Sequence, residues 1–135
     1  MQAMPEETLL AFDFGEKKIG IAIGNTLTRQ ARPLEIIFSE ARVARFGRIE
    51  QVLQEWRPQR VVVGLPLDTD GSEQAATARC RRFANQLHGR YGLAVELVDE
   101  RGSSREAQEL LGNNDPDDAM AAAVILQRYL DALPA

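Results

Sequence analysis

A single cysteine, Cys80, and a single histidine, His88, are the whole supply of thiol and imidazole in these 135 residues. No intrachain disulfide and no multi-cysteine metal site can therefore be built. That poverty fits a reducing, cytoplasmic setting. No apolar run approaches the ~20 residues a membrane-spanning helix needs, so no membrane partner is expected. The polar, acidic opening Met1-Gln2-Ala3-Met4-Pro5-Glu6-Glu7 lacks the basic start and apolar stretch of a signal peptide. A basic excess is missing as well. Sixteen Lys and Arg stand against twenty Asp and Glu, a net charge of −4, so a positive footprint over the whole domain is excluded. There is no P-loop signature, no internal repeat, no low-complexity run and no Ser/Gly linker. Residues 1–135 read as one domain.

What is present is ordinary for a globular chain. Hydrophobic residues make up 44%, too many for a disordered segment. The cations are unevenly spread. Arg42, Arg45, Arg48, Arg57 and Arg60 crowd one stretch, and Arg79, Arg81, Arg82, His88 and Arg90 crowd another. A local phosphate-binding face, Arg79 included, is compatible with a negative total.

Hydrophobic periodicity orders the elements. Residues 8–14 (TLLAFDF) read as a buried strand, and Gly15-Glu16-Lys17 as a tight reversal. Residues 18–24 alternate Ile19, Ile21 and Ile23 with small residues, the period of a paired strand. Gly20, Ala22 and Gly24 keep one of its faces thin, so close packing is expected there. Residues 33–38 complete an antiparallel meander. The period then changes to three and four, with Val43, Phe46, Ile49, Leu53 and Trp56 on one helical stripe and Arg42, Arg45 and Arg48 on another. Pro58 stops this helix. Residues 60–64 (RVVVG) have the continuous β-branched character of a central parallel strand. A helix over 72–91 follows, with Ala76, Cys80, Phe83, Ala84 and Leu87 inward and Gly92 as its C-cap. A fifth strand at 93–98 and helices at 103–111 and 117–133 finish the chain. The sum is an α/β domain with one mixed five-stranded sheet, a three-strand antiparallel meander plus two parallel strands, flanked by helices. In such sheets chemistry gathers at the carboxyl ends of the strands.

Three acids sit where this topology can unite them: Asp13 near the end of the first strand, Glu100 (after Asp99) at the end of the fifth, and Asp118 at the start of the last helix. Asp13 lies between Phe12 and Phe14, an unusual place for a charge. Carboxylates clustered without cations raise one another's pKa, and a divalent metal relieves that cost. Oxygen ligands without Cys or His suit Mg²⁺ or Mn²⁺, and one or two such ions support phosphodiester cleavage. Bland roles are also open. Asp115-Pro116-Asp117-Asp118 has the form of a helix N-terminus, and Ser103 with Glu106 that of a capping box. His88 suits a contact at a helix C-terminus, and Cys80 the core.

Four segments carry a resemblance. Asp13-Phe14-Gly15-Glu16-Lys17-Lys18-Ile19-Gly20 is similar to the opening motif of the YqgF (RuvX) family, within the RNase H-like superfamily of RuvC-type resolvases. Gly64-Leu65-Pro66-Leu67 with Asp70-Gly71 resembles its second motif, and Asp99-Glu100-Arg101 with Ser103-Ser104 its third. Asp118 with Ala121-Ala122, Ile125-Leu126-Gln127 and Tyr129-Leu130 resembles its last. The resemblance implies an RNase H-like fold and a metal-dependent nuclease. Asp13, Glu100 and Asp118 would be its catalytic and metal-binding acids, with Mg²⁺ or Mn²⁺ as cofactor. Lys17, Arg101 and Ser104 match positions that contact phosphate or support the site. The substrate it implies is the 5′ end of pre-16S ribosomal RNA, with Holliday-junction DNA as the alternative and a monomer or homodimer as the assembly. Three positions depart from the family pattern: Gly102, Asp68, and the short acidic segment 112–117 where members often carry a longer Lys/Gly-rich loop. That segment and the net charge favour a third reading, a non-catalytic rRNA-binding module.

Overall fold

The computed structural model describes residues 6–101 and 118–134. Five strands, β1 (Thr8–Phe14), β2 (Ile19–Asn25), β3 (Ala31–Ile37), β4 (Arg60–Leu65) and β5 (Ala94–Asp99), form one sheet in the order β3-β2-β1-β4-β5. β1, β2 and β3 are the antiparallel meander, and β1-β4 and β4-β5 are parallel pairs. Three helices among the described residues pack on it: α1 (Arg42–Trp56), α2 (Ala75–Tyr91) and α3 (Asp118–Asp131). None of them is long and apolar enough to cross a membrane. The helix expected at 103–111, with its Ser103–Glu106 box, lies outside the described residues. So do Asp115, Pro116 and Asp117.

Strand alternation divides the apolar side chains into two layers. Leu10, Phe12, Ile19, Ile21, Val61 and Val63 face α1 and α2, where they meet Phe46, Ile49, Phe83 and Leu87. Leu9, Ala11, Ala22 and Val62 face the other way, against Ile125, Leu126 and Leu130 of α3. The thin face of β2 is occupied as its composition predicts. A Cβ on Gly24 would touch the Leu126 and Leu130 methyls at 3.1 and 3.2 Å.

The structure corrects several local readings. Val43 is 87% exposed, whereas Arg45 is buried with Phe46, Ile49 and Val52. At about 100° per residue, Val43 lies roughly 100° from the centre of the Phe46–Ile49–Leu53–Trp56 stripe, and Arg45 only about 60°. Spacing by threes alone conceals that difference. Arg45 lies over the Phe14 ring at 5.1 Å and donates to the Gly15 carbonyl, bracing the β1–β2 turn. α2 begins at Ala75 rather than residue 72, because Asp68, Ser72 and Gly71 close a separate turn first. Gln74 then caps α2 reciprocally with Thr77, and Thr77 replaces Ala76 on the buried stripe. β3 starts at Ala31 and ends before Phe38, which is 73% exposed. Gly92, at φ +67°, closes α2 as its C-cap.

Candidate active site

Because β1, β4 and β5 are parallel, their carboxyl ends open on one edge. Asp13 is the penultimate residue of β1, and Glu100 follows the last residue of β5. Asp118 opens α3. Asp13 has the same parity as Leu9 and Ala11, so its side chain belongs to the α3 layer.

Two glycines flank it in that layer. Gly20 is the cross-strand partner of Asp13. A Cβ there would stand 1.9 Å from the Asp118 carbonyl oxygen and 2.8 Å from the Ala119 nitrogen. On the other side, Gly64 lies one step beyond the Phe12–Val63 pair. A Cβ there would stand 2.9 Å from Glu100 Oε2 and 2.6 Å from Ile125 Cδ1. The missing side chains admit the α3 main chain on one side of Asp13 and the Glu100 carboxyl on the other.

Asp13 and Glu100 share a side-chain hydrogen bond. Between two carboxyls that bond requires a proton. Burial first, and then the Asp13 charge, push Glu100 up to about 8. Burial also raises Asp13, against the Glu100 hydrogen bond, which lowers it, and with the Asp118 charge, which raises it further. Asp118 itself is paired with Lys18, Nζ to Oδ2 at 3.6 Å. Among the described residues, no three His, Cys, Asp or Glu side chains group closely enough to hold a metal ion. The three sequence-predicted acids are thus one bonded pair and a neighbour in electrostatic range.

The predicted phosphate contacts are less uniform. Lys17 is exposed on the turn after Gly15. Arg79 is half-exposed and pairs with Glu16 at 3.1 Å. Arg101 is turned inward on its own rim. It holds Asp99 through Nε at 2.8 Å and Nη2 at 2.6 Å, and reaches the Thr69 carbonyl at 3.3 Å. Arg101 accordingly depresses the Asp99 pKa. Ser104 lies outside the described residues. The basic stretches are partly neutralised, with Arg48 forked onto Glu35 at 2.6 and 2.8 Å and Arg81 held by Glu73 at 2.7 Å. His88 Nδ1 meets the Leu93 carbonyl at 2.8 Å, away from this edge. Sequence reasoning missed two cations here, Lys18 and Arg128. Arg128, on α3, donates to the Asp99 carbonyl at 3.0 Å and its charge opposes the rise of Glu100. Lys18 could have been found from its place beside Lys17 on the turn. Arg128 carries no local signal.

The RuvX family model, described as Holliday junction resolvase, matches residues 7–132. A protein of Bordetella petrii named as a candidate pre-16S rRNA nuclease is 86% identical over 131 residues, covering 97% of this chain and 100% of its own. One of the same name from Paraburkholderia phytofirmans is 52% identical over 132 residues, covering 95% and 90%. Among solved structures, the fowlpox virus resolvase with Holliday junction DNA superposes with a TM-score of 0.60 at 12% identity, over 93% of this chain and 97% of that one. Thermus thermophilus RuvC superposes with a TM-score of 0.57 at 17% identity, over 93% and 95%. At such identities the likeness is one of fold, and it is the resolvase type of RNase H-like sheet.

Proposed function

Because the chain belongs to the RuvX family, we propose that it is a divalent-metal-dependent nuclease that processes the 5′ end of pre-16S ribosomal RNA, acting as one domain in the cytoplasm. The observation that supports this best is the Asp13–Glu100 side-chain hydrogen bond at the strand-end edge, with the Asp118 helix start beside it.

The donor set suits Mg²⁺ or Mn²⁺. It is all oxygen: the Cys80 thiol is within electrostatic range of both acids but lies in the opposite layer of the sheet, donating to the Phe14 carbonyl at 3.9 Å. Two ionised carboxylates in contact repel, and a cation in place of their shared proton removes the repulsion. Among the described residues two acids touch, a number that suits Mg²⁺, which takes one or two carboxylates and fills its shell with waters and phosphate oxygens. Asp13 and Glu100 would hold the metal, with Asp118 as the third acid. One or two ions bound there supply Lewis-acid activation of water and stabilisation of the leaving oxygen.

The chain's own residues do the rest. Glu100 gives up the proton it shares with Asp13. Gly20 and Gly64 keep side chains out of the row. Lys17 and Arg79 lie on exposed ground to meet backbone phosphates, Arg79 by exchanging Glu16 for a phosphate. Arg101 braces the 66–73 loop at the rim through the Thr69 carbonyl, and Ser104 keeps the supporting role that its motif position implies. Hydrolysis leaves a 5′-phosphate and a 3′-hydroxyl. A second reading, resolution of four-way DNA junctions, is favoured by the family's own description and would call for a homodimer, because a junction has two strands to cut.

The test is cleavage of labelled pre-16S 5′-leader RNA and of a four-way DNA junction, side by side, in Mg²⁺, Mn²⁺ and EDTA. Asp13→Asn is the control. Metal-dependent cutting of the RNA, lost in Asp13→Asn, is expected. Cutting of the junction alone would replace the first reading with the second. Binding without cutting in any metal would make the chain a non-catalytic rRNA-binding module.

A further inference from the structure

We propose that Arg128 is a positioning residue for the reaction: it ties the helix that starts at Asp118 to the strand end that carries Glu100. This rests on the reading of Glu100 as part of the site. Arg128 lies ten residues after Asp118 on α3, and its Nη1 donates to the carbonyl of Asp99, the residue before Glu100, at 3.0 Å. The Glu100 main chain is otherwise held by its own N–H, which donates to the Leu65 carbonyl at 3.2 Å. The Asp99 carboxylate is engaged elsewhere, by Arg101. α3 packs broadly on β2, β3 and β1 but only sparingly on β5. Apolar packing therefore fixes Asp118 relative to Asp13, and the β1-β4-β5 ladder fixes Glu100 relative to Asp13, which leaves the junction between α3 and the end of β5 as the thin one. Arg128 adds a polar tie where the packing is thin. A charge-assisted hydrogen bond of this kind is directional in a way that apolar contact is not.

The test compares Arg128→Met and Arg128→Lys with the wild-type chain in two assays. The first is amide hydrogen exchange in the metal-free protein, which needs no activity. Arg128→Met should speed exchange of the Glu100 amide by about 10-fold while the Val62 and Val63 amides of central β4 stay protected. The second is metal-dependent cleavage. Displacing a reacting group by about 1 Å costs on the order of 10²-fold, so kcat should fall 10- to 100-fold in Arg128→Met with KM within twofold. Arg128→Lys keeps the charge and a donor nitrogen and should recover part of the loss. Unchanged Glu100 exchange overturns the proposal, and so does an unchanged kcat. A loss confined to KM would make Arg128 a substrate contact and also overturn it. If Arg128→Met does not fold, Arg128→Lys carries the same two assays, with a smaller exchange and kcat effect expected and none overturning the proposal. If the wild-type chain cleaves neither RNA nor junction, the nuclease reading fails, and the exchange assay still decides whether Arg128 anchors Glu100.

Discussion

Replacing Gly20 by alanine adds one methyl group at the most crowded point of the site. The new Cβ would lie 1.9 Å from the Asp118 oxygen and 2.2 Å from its carbonyl carbon, where ordinary contact begins at 3.4 Å. Something must move by about 1.5 Å. β2 cannot, because it is paired on both edges, with β1 and with β3. The atoms in the way are main chain at the start of α3, so no side-chain rotation relieves the clash. α3 has to retreat and take Asp118 away from Asp13. Overpacking of this kind costs about 1–3 kcal/mol of stability. That lowers the melting temperature by about 4 °C per kcal/mol for a domain of this size. The loss of activity should be larger, on the order of 10²-fold in single-turnover cleavage, because about 1 Å of misplacement at a reacting centre has that effect. Gly47→Ala is the matched control. It lies in α1 with nothing within 4 Å of its would-be Cβ. There the same methyl should leave cleavage unchanged and stabilise by about 0.5–1 kcal/mol through helix propensity. If Gly20→Ala melts and cleaves like the wild type, the close approach of α3 is wrong.

The metal-free protein should lose stability as pH rises from about 5 to 8. A carboxyl raised in the folded state, Glu100 to about 8, binds a proton there that the unfolded chain has already released. Its contribution is complete below the ordinary carboxylate range and disappears as pH passes through about 8. The full shift would be worth about 5 kcal/mol, and solvent screening of a carboxyl that is not fully enclosed reduces it to about 2 kcal/mol. Calorimetry at pH 5.5 and pH 8 should show that drop. Glu100→Gln should flatten it, and Mn²⁺ should restore stability at pH 8. A melting temperature that does not change over this window in the wild type would refute the shared proton. The Cys80 thiol, 2% exposed and pushed up to about 12 by burial, should resist a disulfide reagent at pH 8 until the chain unfolds. Stoichiometric labelling of the native protein would contradict that burial.

The make-up of the sheet, an antiparallel meander plus parallel strands, was legible because its two signals are local. Alternation in residues 18–24 marks a paired strand, and the unbroken run in 60–64 marks a central parallel one. Asp13 was legible for a related reason: an acid between two phenylalanines in an apolar strand needs an explanation. Helix phase was less legible. Val43 and Arg45 exchange places because angle around the axis, and not spacing, decides which side chain is buried. The start of α2 was missed because the Asp68–Ser72 turn uses side-chain and backbone bonds that no periodicity reveals. Contacts between distant segments were the least legible. Gly64 lies 36 residues from Glu100 and Arg128 lies 29 from Asp99, and nothing in the intervening sequence marks either pairing.

The acids do not assemble this site, since like charges oppose their own approach. The packing of α3 does. Ile125, Leu126 and Leu130 are fully buried against Leu9, Ala11, Ala22 and Val62. Burying each such side chain is worth about 1.5–3 kcal/mol. Three of them contribute more than the few kcal/mol that a raised, shared proton costs at neutral pH. The helix is therefore held down whether or not the carboxyls are comfortable. Gly20 and Gly64 determine how far it and Glu100 can descend on either side of Asp13. The resulting tension between apolar packing and charge repulsion can be relieved by a proton or by a divalent cation. On the proposed metal-dependent reading, proton and metal would compete for the same pair of carboxyls, and the apolar layer beneath α3 would set the strength of that competition.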